Sequence, residues 1–185
     1  ESMKKEVRWN DKKTIQYNLQ NLVTLIKQKN PDIVALQEID FDSKRTHYIN
    51  QFKFLMDRLD YHYGAYVVTW RKAYVPYPIS LKFWQHYGKI VSGQAILSKY
   101  PIAENIRIPL PQPDENFKIY NSYYLTRCFQ KCRINIGNRN INFFNIHLEA
   151  FREKNRMVQS EMLVKEINNL ENKDNVIIVG DFNSL

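Results

Sequence analysis

A long amphipathic segment followed directly by a short apolar one limits the folds open to this chain. Asn30 and Pro31 separate the two segments, and a residue before proline is disfavoured in helical conformation. The apolar run DIVAL at 32–36 is therefore predicted to begin a buried strand. Residues 12–29 are predicted to form an amphipathic helix. Apolar residues recur there at the spacing of one helix face, namely Ile15, Leu19, Leu22, Val23 and Ile26. A helix laid over a strand in this way indicates a layered α/β protein.

The rest of the chain continues this alternation of helices and strands. Residues 122–136 and 139–148 are rich in β-branched and aromatic side chains and predict a hairpin that turns at Gly137 and Asn138. Strands paired partly as hairpins and partly through crossover helices indicate mixed sheets. A loop is predicted at 109–116. The other predicted elements are helices at 46–59 and 152–170 and strands at 66–70, 93–97 and 176–180.

The charge of the chain favours a polyanionic partner. Lys and Arg number 27 against 19 Asp and Glu, which gives a net charge of +8. Nucleic acid and an anionic membrane surface are both suitable partners for such a protein. The basic residues are scattered through the sequence and form no run. A compositional bias that raises the isoelectric point without any ligand therefore remains the alternative.

The length of 185 residues predicts a single domain spanning residues 1–185. No apolar run approaches the roughly 18 residues that a membrane-spanning helix needs. No signal peptide is recognisable either, so an intracellular location is slightly favoured over a secreted one. The sequence indicates nothing about the oligomeric state.

The two cysteines, Cys128 and Cys132, are predicted to be ordinary buried thiols. Both lie in a predicted strand, where residues four apart face the same side at about 13 Å. That separation is too large for a disulfide. A zinc site would need a second cysteine pair, which the sequence lacks.

Four polar residues follow apolar strands: Glu38, His147, Asp181 and Asn183. Each alone has an ordinary explanation, such as a helix cap, a hydrogen-bonded structural histidine or an Asx turn. However, charged groups seldom stand at the end of a core strand unless they are paired or bind a metal. Because α/β sheets commonly present ligands at their strand ends, the four together predict a functional site.

Four segments of the chain resemble the endonuclease/exonuclease/phosphatase superfamily. They read PDIVALQEI, SGQAILSKYPI, FFNIHLEAF and VIIVGDFNSL. Their order and spacing are what resemble the family, with 109 residues from Glu38 to His147 and 34 from His147 to Asp181. That superfamily includes deoxyribonuclease I-like nucleases, abasic-site endonucleases, deadenylases, inositol-polyphosphate phosphatases and neutral sphingomyelinases. The resemblance implies an α/β protein, a four-layer α/β/β/α sandwich of mixed sheets with the site at one edge.

The resemblance also implies a role for each candidate residue. Glu38 would bind a divalent metal, usually Mg²⁺ with Mn²⁺ as a substitute, because hard cations favour oxygen donors. Asp181 would orient or deprotonate the attacking water, and Asn183 would position that water and the phosphate. His147 would donate a hydrogen bond to a phosphoryl oxygen as negative charge develops. Arg127 would clamp the phosphate, with a plain surface arginine as the alternative.

The sequence departs from the family pattern at both ends. The family begins with a strand whose asparagine supports the metal site, and it ends with a further aspartate and then an Asp-His pair. The 185 residues contain neither segment. The resemblance therefore predicts a chain that is incomplete at both ends and inactive by itself.

The predicted function is Mg²⁺-dependent hydrolysis of phosphate esters, most simply by a phosphodiesterase or nuclease. A catalytically dead member that binds nucleic acid or protein is the alternative, as is a lipid or inositol phosphate hydrolase. A calcineurin-like metallophosphatase is disfavoured. That class needs an Asp-x-His near the start and further histidine ligands, and the sequence contains neither. The aromatic segment 61–87 would stack on bases, meet a lipid surface or simply pack in the core.

Overall fold

The computed structural model of the protein describes residues 11–78, 81, 83–113 and 123–184. Single 3₁₀ turns lie at Lys44–Thr46 and Phe83–Gln85. The helices are α1 (Lys12–Lys29), α2 (Gln51–Met56) and α3 (Glu153–Asn168). The strands are β1 (Ile33–Asp40), β2 (Tyr63–Val75), β3 (Gly88–Ser98), β4 (Ile102–Pro109), β5 (Cys128–Ile136), β6 (Arg139–His147) and β7 (Val176–Asp181).

Helix α1 confirms the helix predicted at 12–29. Asp11 caps its first turn by accepting a hydrogen bond from the backbone N–H of Thr14 at 2.7 Å. Asn30 ends it in the left-handed conformation and donates its backbone N–H to the carbonyl of Ile26. In the part of the chain that the structure describes, no helix has both the length and the apolar character needed to cross a bilayer.

The strands form two sheets, each from a continuous half of the sequence. The first sheet has the order β1-β3-β2 and is antiparallel throughout. The second has the order β4-β5-β6-β7, in which β6 and β7 are parallel and α3 forms the crossover between them. The predicted hairpin is confirmed as β5 and β6, with Ile136 paired to Arg139 across the turn. Its first strand is shorter than predicted, because residues 123–127 are not in a strand and β5 begins at Cys128.

Three apolar clusters stack these elements into four layers. The first cluster packs α1 and α2 on the first sheet, with Val23, Leu55 and Leu97 at its centre. The second packs α3 on the outer face of the second sheet, where Leu163 meets Phe144. The third lies between the sheets and joins β3 to β5 and β6. The α/β/β/α sandwich implied by the resemblance is therefore confirmed.

Several elements differ from the sequence-based prediction. The helix predicted at 46–59 is only α2, because Asn50 caps its start by accepting from the backbone N–H of Lys53. The aromatic segment 61–87 contains the 13-residue strand β2, which is sustained by pairing with β3 as far as Val75. Strand β4 was not predicted, although its sequence IAENIRIP carries isoleucines at alternate positions. Residues 114–116 of the predicted loop and residue 122 of the hairpin lie outside the described residues.

A network of buried amide side chains connects the two sheets. Asn145 on β6 is fully buried, and its Nδ2 donates to the backbone carbonyls of Leu36 on β1 and Ala95 on β3. Its Nδ2 also lies 3.1 Å from Oε1 of Gln130 on β5, and its Oδ1 accepts from Nε2 of Gln37 at 2.6 Å. Because Asn145, Gln130 and Ala95 are buried and Gln37 is partly buried, these groups depend largely on one another for their hydrogen bonds.

We expect Asn145→Ala to lower the free energy of unfolding by about 3 kcal/mol, since buried amide and carbonyl groups would lose their partner. Chemical denaturation measures this loss. Asn140→Ala is the matched control, because Asn140 lies exposed on the same strand. It should change stability by less than about 0.5 kcal/mol. Equal effects from the two substitutions would contradict a structural role for the network.

The two cysteines are free and fully buried on β5, as predicted. Cys128 donates its thiol to Oε1 of Gln94, and Cys132 donates to Oδ1 of Asn105, each at 3.2 Å. Burial raises the pKa of both thiols to about 12. The thiolate is the reactive form, and at pH 8 it would account for roughly one molecule in ten thousand.

We therefore expect both thiols to resist alkylation by iodoacetamide in the folded protein at pH 8. In denaturing urea, both should react within minutes, which mass spectrometry measures as two added carbamidomethyl groups. Rapid labelling of either thiol under native conditions would show that β5 is not the buried strand described here.

Candidate active site

His147 and Asp181 lie side by side at one edge of the second sheet. They are the last residues of β6 and β7, and they are register partners in the parallel ladder. Parallel strands end at the same edge of a sheet, so the crossover through α3 is what places them together. His147 Nε2 is 4.0 Å from Asp181 Oδ2. The structure thus brings these two predicted residues together.

Glu38 reaches the same place from the first sheet. Its Oε1 is 3.9 Å from His147 Nε2, and its side chain is 72% exposed. The prediction that β1 ends at Glu38 is wrong, since the strand continues to Asp40. The pairing register shifts between Leu36 and Ile39, and Glu38 has a positive φ of 55°. This bulge at a non-glycine residue is unfavourable in itself and turns the side chain out of the ladder.

Gly180 allows β7 to approach β6 closely. It has a φ of 135°, and a Cβ at this position would lie 2.0 Å from the backbone oxygen of Ile146. Both the conformation and the contact exclude any residue with a side chain. The glycine of the VGD sequence is therefore needed to place Asp181 opposite His147.

Asn183 holds the end of β7 in place. Its backbone N–H donates to Asp181 Oδ1, and its side-chain Nδ2 donates to the carbonyl of Leu148, both at 2.9 Å. Asn183 adopts a left-handed φ of 50°, which asparagine tolerates better than most residues. The amide nitrogen is thus used on the backbone, and a direct contact of Asn183 with phosphate stays a prediction.

His147 is largely shielded from solvent, with a side chain 11% exposed. Burial lowers the pKa of its imidazole, and the positive charge of Arg127 lowers it further. The carboxylates of Glu38, Asp181 and Glu149 raise this pKa but do not outweigh the two lowering causes. The imidazole is therefore favoured in its neutral form, in which one ring nitrogen carries a proton.

Arg127 is buried beside this histidine and is not a surface arginine. It is 6% exposed, and its Nε lies 3.5 Å from Oε2 of the equally buried Glu149. Within the described residues, Nε and Nη1 of Arg127 have no hydrogen-bond partner. A buried guanidinium group with free N–H donors favours binding of an anion that accepts hydrogen bonds from them.

Helix α3 fixes the segment that carries Glu149. Gln159 is 1% exposed and accepts the backbone N–H of Glu149 through Oε1 at 2.8 Å. Arg156 Nη1 donates to the carbonyl of Glu149 at 2.9 Å. The same helix therefore forms the crossover to β7 and positions the carboxylate that faces Arg127.

The donor set at the site fits Mg²⁺ bound mainly by water. Mg²⁺ is usually held through one or two carboxylates and retains several waters. Glu38 supplies one exposed carboxylate, which agrees with that kind of binding. Across residues 11–78, 81, 83–113 and 123–184, no three or more His, Cys, Asp or Glu side chains form a group able to hold a metal ion. A metal enclosed by protein ligands alone is therefore not supported by these residues.

The profile of the Endonuclease/Exonuclease/phosphatase family matches residues 15–184, which is nearly the whole chain. The chain belongs to this family. Its match includes all five of the predicted site residues: Glu38, Arg127, His147, Asp181 and Asn183. Comparison with curated protein sequences gives no match.

Several solved structures share the fold of this chain at low sequence identity. ANGEL2, a 2′,3′-cyclic phosphatase, is 22% identical with a TM-score of 0.63, covering 92% of this chain and 44% of that one. A mannosyl-6-phosphatase from Bacteroides thetaiotaomicron is 18% identical with a TM-score of 0.60, covering 91% and 57%. D. rerio TDP2 in complex with a single-strand DNA product is 14% identical with a TM-score of 0.60, covering 92% and 55%. The chain thus spans less than two thirds of each.

Three residues at the site were not singled out from the sequence. Gln37 and Asn145 precede Glu38 and His147 by one and two positions and join their strands by a hydrogen bond. Glu149 follows His147 by two positions and pairs with Arg127. The available signal was the presence of polar residues inside otherwise apolar strands, which usually means that they are hydrogen-bonded to one another.

We expect Gly180→Ala to destabilise the protein by at least about 2 kcal/mol, because the new methyl group meets the backbone of β6 and φ is unfavourable. Thermal and chemical unfolding measure the effect. Gly137→Ala is the control, since Gly137 has a φ of 57° in the hairpin turn but nothing within 4 Å of an added Cβ. It should cost only about 1 kcal/mol. A smaller loss for Gly180→Ala than for the control would contradict the close approach of the strands.

Proposed function

We propose that the chain carries the site of a divalent-metal-dependent phosphoesterase that cleaves phosphodiesters, with nucleic acid as its substrate. The observation that supports this most strongly is the convergence of Glu38, His147 and Asp181. Two carboxylates and an imidazole from two different sheets approach within about 4 Å at one edge. Packing alone gives no reason to gather such groups at the end of buried strands.

A metal ion on Glu38 would polarise a phosphoryl oxygen and offset negative charge on the leaving oxygen. The other residues would act directly on the phosphate and the water. His147 would donate the N–H of its neutral imidazole to a nonbridging phosphoryl oxygen. Such a bond strengthens as negative charge accumulates on that oxygen in the transition state. The buried position of His147 increases its effect, because water does not screen the interaction.

Asp181 would orient the attacking water and accept its proton. Its carboxylate is 54% exposed, so water reaches it, while the backbone N–H of Asn183 fixes one of its oxygens. As the water oxygen bonds to phosphorus, the ester P–O bond breaks and the leaving oxygen takes a proton from solvent. Asp181 then returns its own proton to solvent, which completes the balance of protons.

Arg127 would bind a second phosphoryl oxygen. Among the described residues, two of its guanidinium nitrogens find no hydrogen-bond partner, and an arginine forms short, charge-assisted bonds with phosphate. Glu149 would keep the guanidinium in place through the 3.5 Å contact with Nε. Together, Arg127 and His147 would hold the phosphate against the exposed carboxylate of Asp181.

Nucleic acid is favoured over other phosphate esters by charge. The chain carries a net charge of +8, which attracts a polyanion more strongly than a single phosphate group. Among the structures that share the fold, D. rerio TDP2 is named in complex with a single-strand DNA product. ANGEL2 and the mannosyl-6-phosphatase are named for other phosphate esters.

The decisive substitution is Glu38→Gln in the full-length protein. We expect it to reduce Mg²⁺-dependent hydrolysis of bis(4-nitrophenyl) phosphate at least about 100-fold, since the metal-binding charge is lost while the shape is kept. Mg²⁺ should also raise the melting temperature of the wild type but not that of the variant.

Glu171→Gln is the matched control, because Glu171 is exposed before β7, at the end of that strand opposite Asp181. Its turnover and its response to Mg²⁺ should match those of the wild type. Unchanged turnover in Glu38→Gln would exclude the metal role of Glu38. A wild-type protein that hydrolyses no phosphodiester would instead favour a binding role for the whole chain.

A further inference from the structure

Arg45 is held rigidly next to the candidate site. Its Nε and Nη2 each donate to a carboxylate oxygen of Asp40 at 2.9 Å, and the Asp40 side chain is only 3% exposed. Ser43 Oγ also donates to the carboxylate of Asp40, and the side chain of Gln51 accepts the backbone N–H of Asp40. The two-point contact fixes the plane of the guanidinium group, and its Nη1 takes no part in this pair.

Two aromatic rings pack against this guanidinium group. The Cζ atom of Arg45 lies 5.7 Å from the ring centroid of Trp70 and 5.8 Å from that of Tyr87. These are cation–π distances. Burial acts to lower the pKa of the Arg45 guanidinium, but the hydrogen bonds that it donates to Asp40 and the charge of that carboxylate raise the pKa overall, so the cation is retained. Trp70 is itself fixed, because its Nε1 donates to the carbonyl of Tyr123 at 2.8 Å.

A third ring extends this stack toward solvent. Tyr77 lies 5.4 Å from Tyr87 between ring centroids, and its carbonyl accepts the backbone N–H of Tyr87 at 2.8 Å. Tyr77 is 48% exposed, so the stack has an accessible aromatic surface. An exposed tyrosine ring is a surface on which a flat ligand can stack.

The stack adjoins the site through a shared groove. Arg45 and Tyr87 line a groove of about 470 Å³ whose wall also contains Glu38. Glu38 in turn is 3.9 Å from His147. A phosphate held at His147 would therefore lie beside the groove that Arg45 and Tyr87 line.

We propose that Arg45, Tyr87 and Tyr77 form a binding subsite for the nucleobase next to the scissile phosphate. A base has a flat π-face that stacks on tyrosine, and the fixed Arg45 cation next to Tyr87 offers it a further cation–π contact. Lipid chains have no comparable flat π-face. This proposal rests on the proposed phosphodiesterase function and specifies its substrate as single-stranded nucleic acid.

The test compares two phosphodiesters that have the same 4-nitrophenol leaving group. Thymidine 5′-(4-nitrophenyl phosphate) carries a base, whereas ethyl 4-nitrophenyl phosphate does not. In the full-length protein with Mg²⁺, we expect Tyr77→Leu to reduce the ratio of kcat/KM for the thymidine ester to that for the ethyl ester about tenfold. Tyr77→Phe keeps the ring and should keep the wild-type ratio. Equal ratios in the two variants would overturn the proposal.

A second arm separates failure of the subsite from failure of the proposed function. Binding of a fluorescein-labelled oligothymidylate without metal is measured by anisotropy, and it needs no turnover. A Kd about tenfold higher for Tyr77→Leu than for Tyr77→Phe supports the subsite even if the wild type hydrolyses neither ester. Equal Kd values overturn it.

Vesicles of phosphatidylserine test the lipid surface as the competing occupant. Weaker sedimentation of Tyr77→Leu with vesicles, together with unchanged oligothymidylate binding, would overturn the nucleobase assignment. Arg45→Lys adds an independent check, because it keeps the charge but loses the two-point contact with Asp40. We expect it to lower the same kcat/KM ratio, and an unchanged ratio in a folded Arg45→Lys protein would remove Arg45 from the subsite.

Discussion

The geometry of the site depends on the hydrogen bonds of one buried asparagine. Asn145 lies two residues before His147, and its amide bonds to Leu36 and Gln37, the two residues that precede Glu38. Apolar packing between sheets is nearly indifferent to a small sliding motion, whereas amide hydrogen bonds weaken within a few tenths of an ångström. The network therefore sets the distance between the carboxylate of one sheet and the imidazole of the other.

The same dependence explains why the site tolerates unfavourable local features. Glu38 lies in a bulge with a positive φ, and two nitrogens of the buried Arg127 make no hydrogen bond within the part of the chain that the structure describes. Each feature costs free energy by itself, and the surrounding packing must compensate. Both costs are found at residues for which we propose a role in binding the metal or the phosphate. They are consistent with residues arranged for a ligand and less so with residues arranged only for stability.

Much of the fold could be predicted because apolar periodicity and the residues that end helices and strands are local signals. The apolar face of α1 and the Asn30-Pro31 stop locate the first helix, and the turn at Gly137 locates the hairpin. The helix predicted at 46–59 is longer than α2, because α2 begins only after its cap Asn50 and already ends at Met56. The positions of His147 and Asp181 followed from strand ends. The bulge at Glu38 depends on pairing with the distant strand β3, and the amide bonds of Asn145 to Leu36 and Gln37 join residues more than 100 apart. No local pattern reveals these contacts.

Each sheet is built from an unbroken half of the chain, yet the candidate site belongs to neither half. Strands β1 to β3 supply Glu38, and strands β4 to β7 supply His147 and Asp181. Either half could keep its own helices and hydrogen-bonded ladders while the interface between them loosened. Catalytic activity would then be lost before the secondary structure unfolds. In such a protein, activity reports on the docking of two halves, and the link at 99–101 sets their effective concentration for one another.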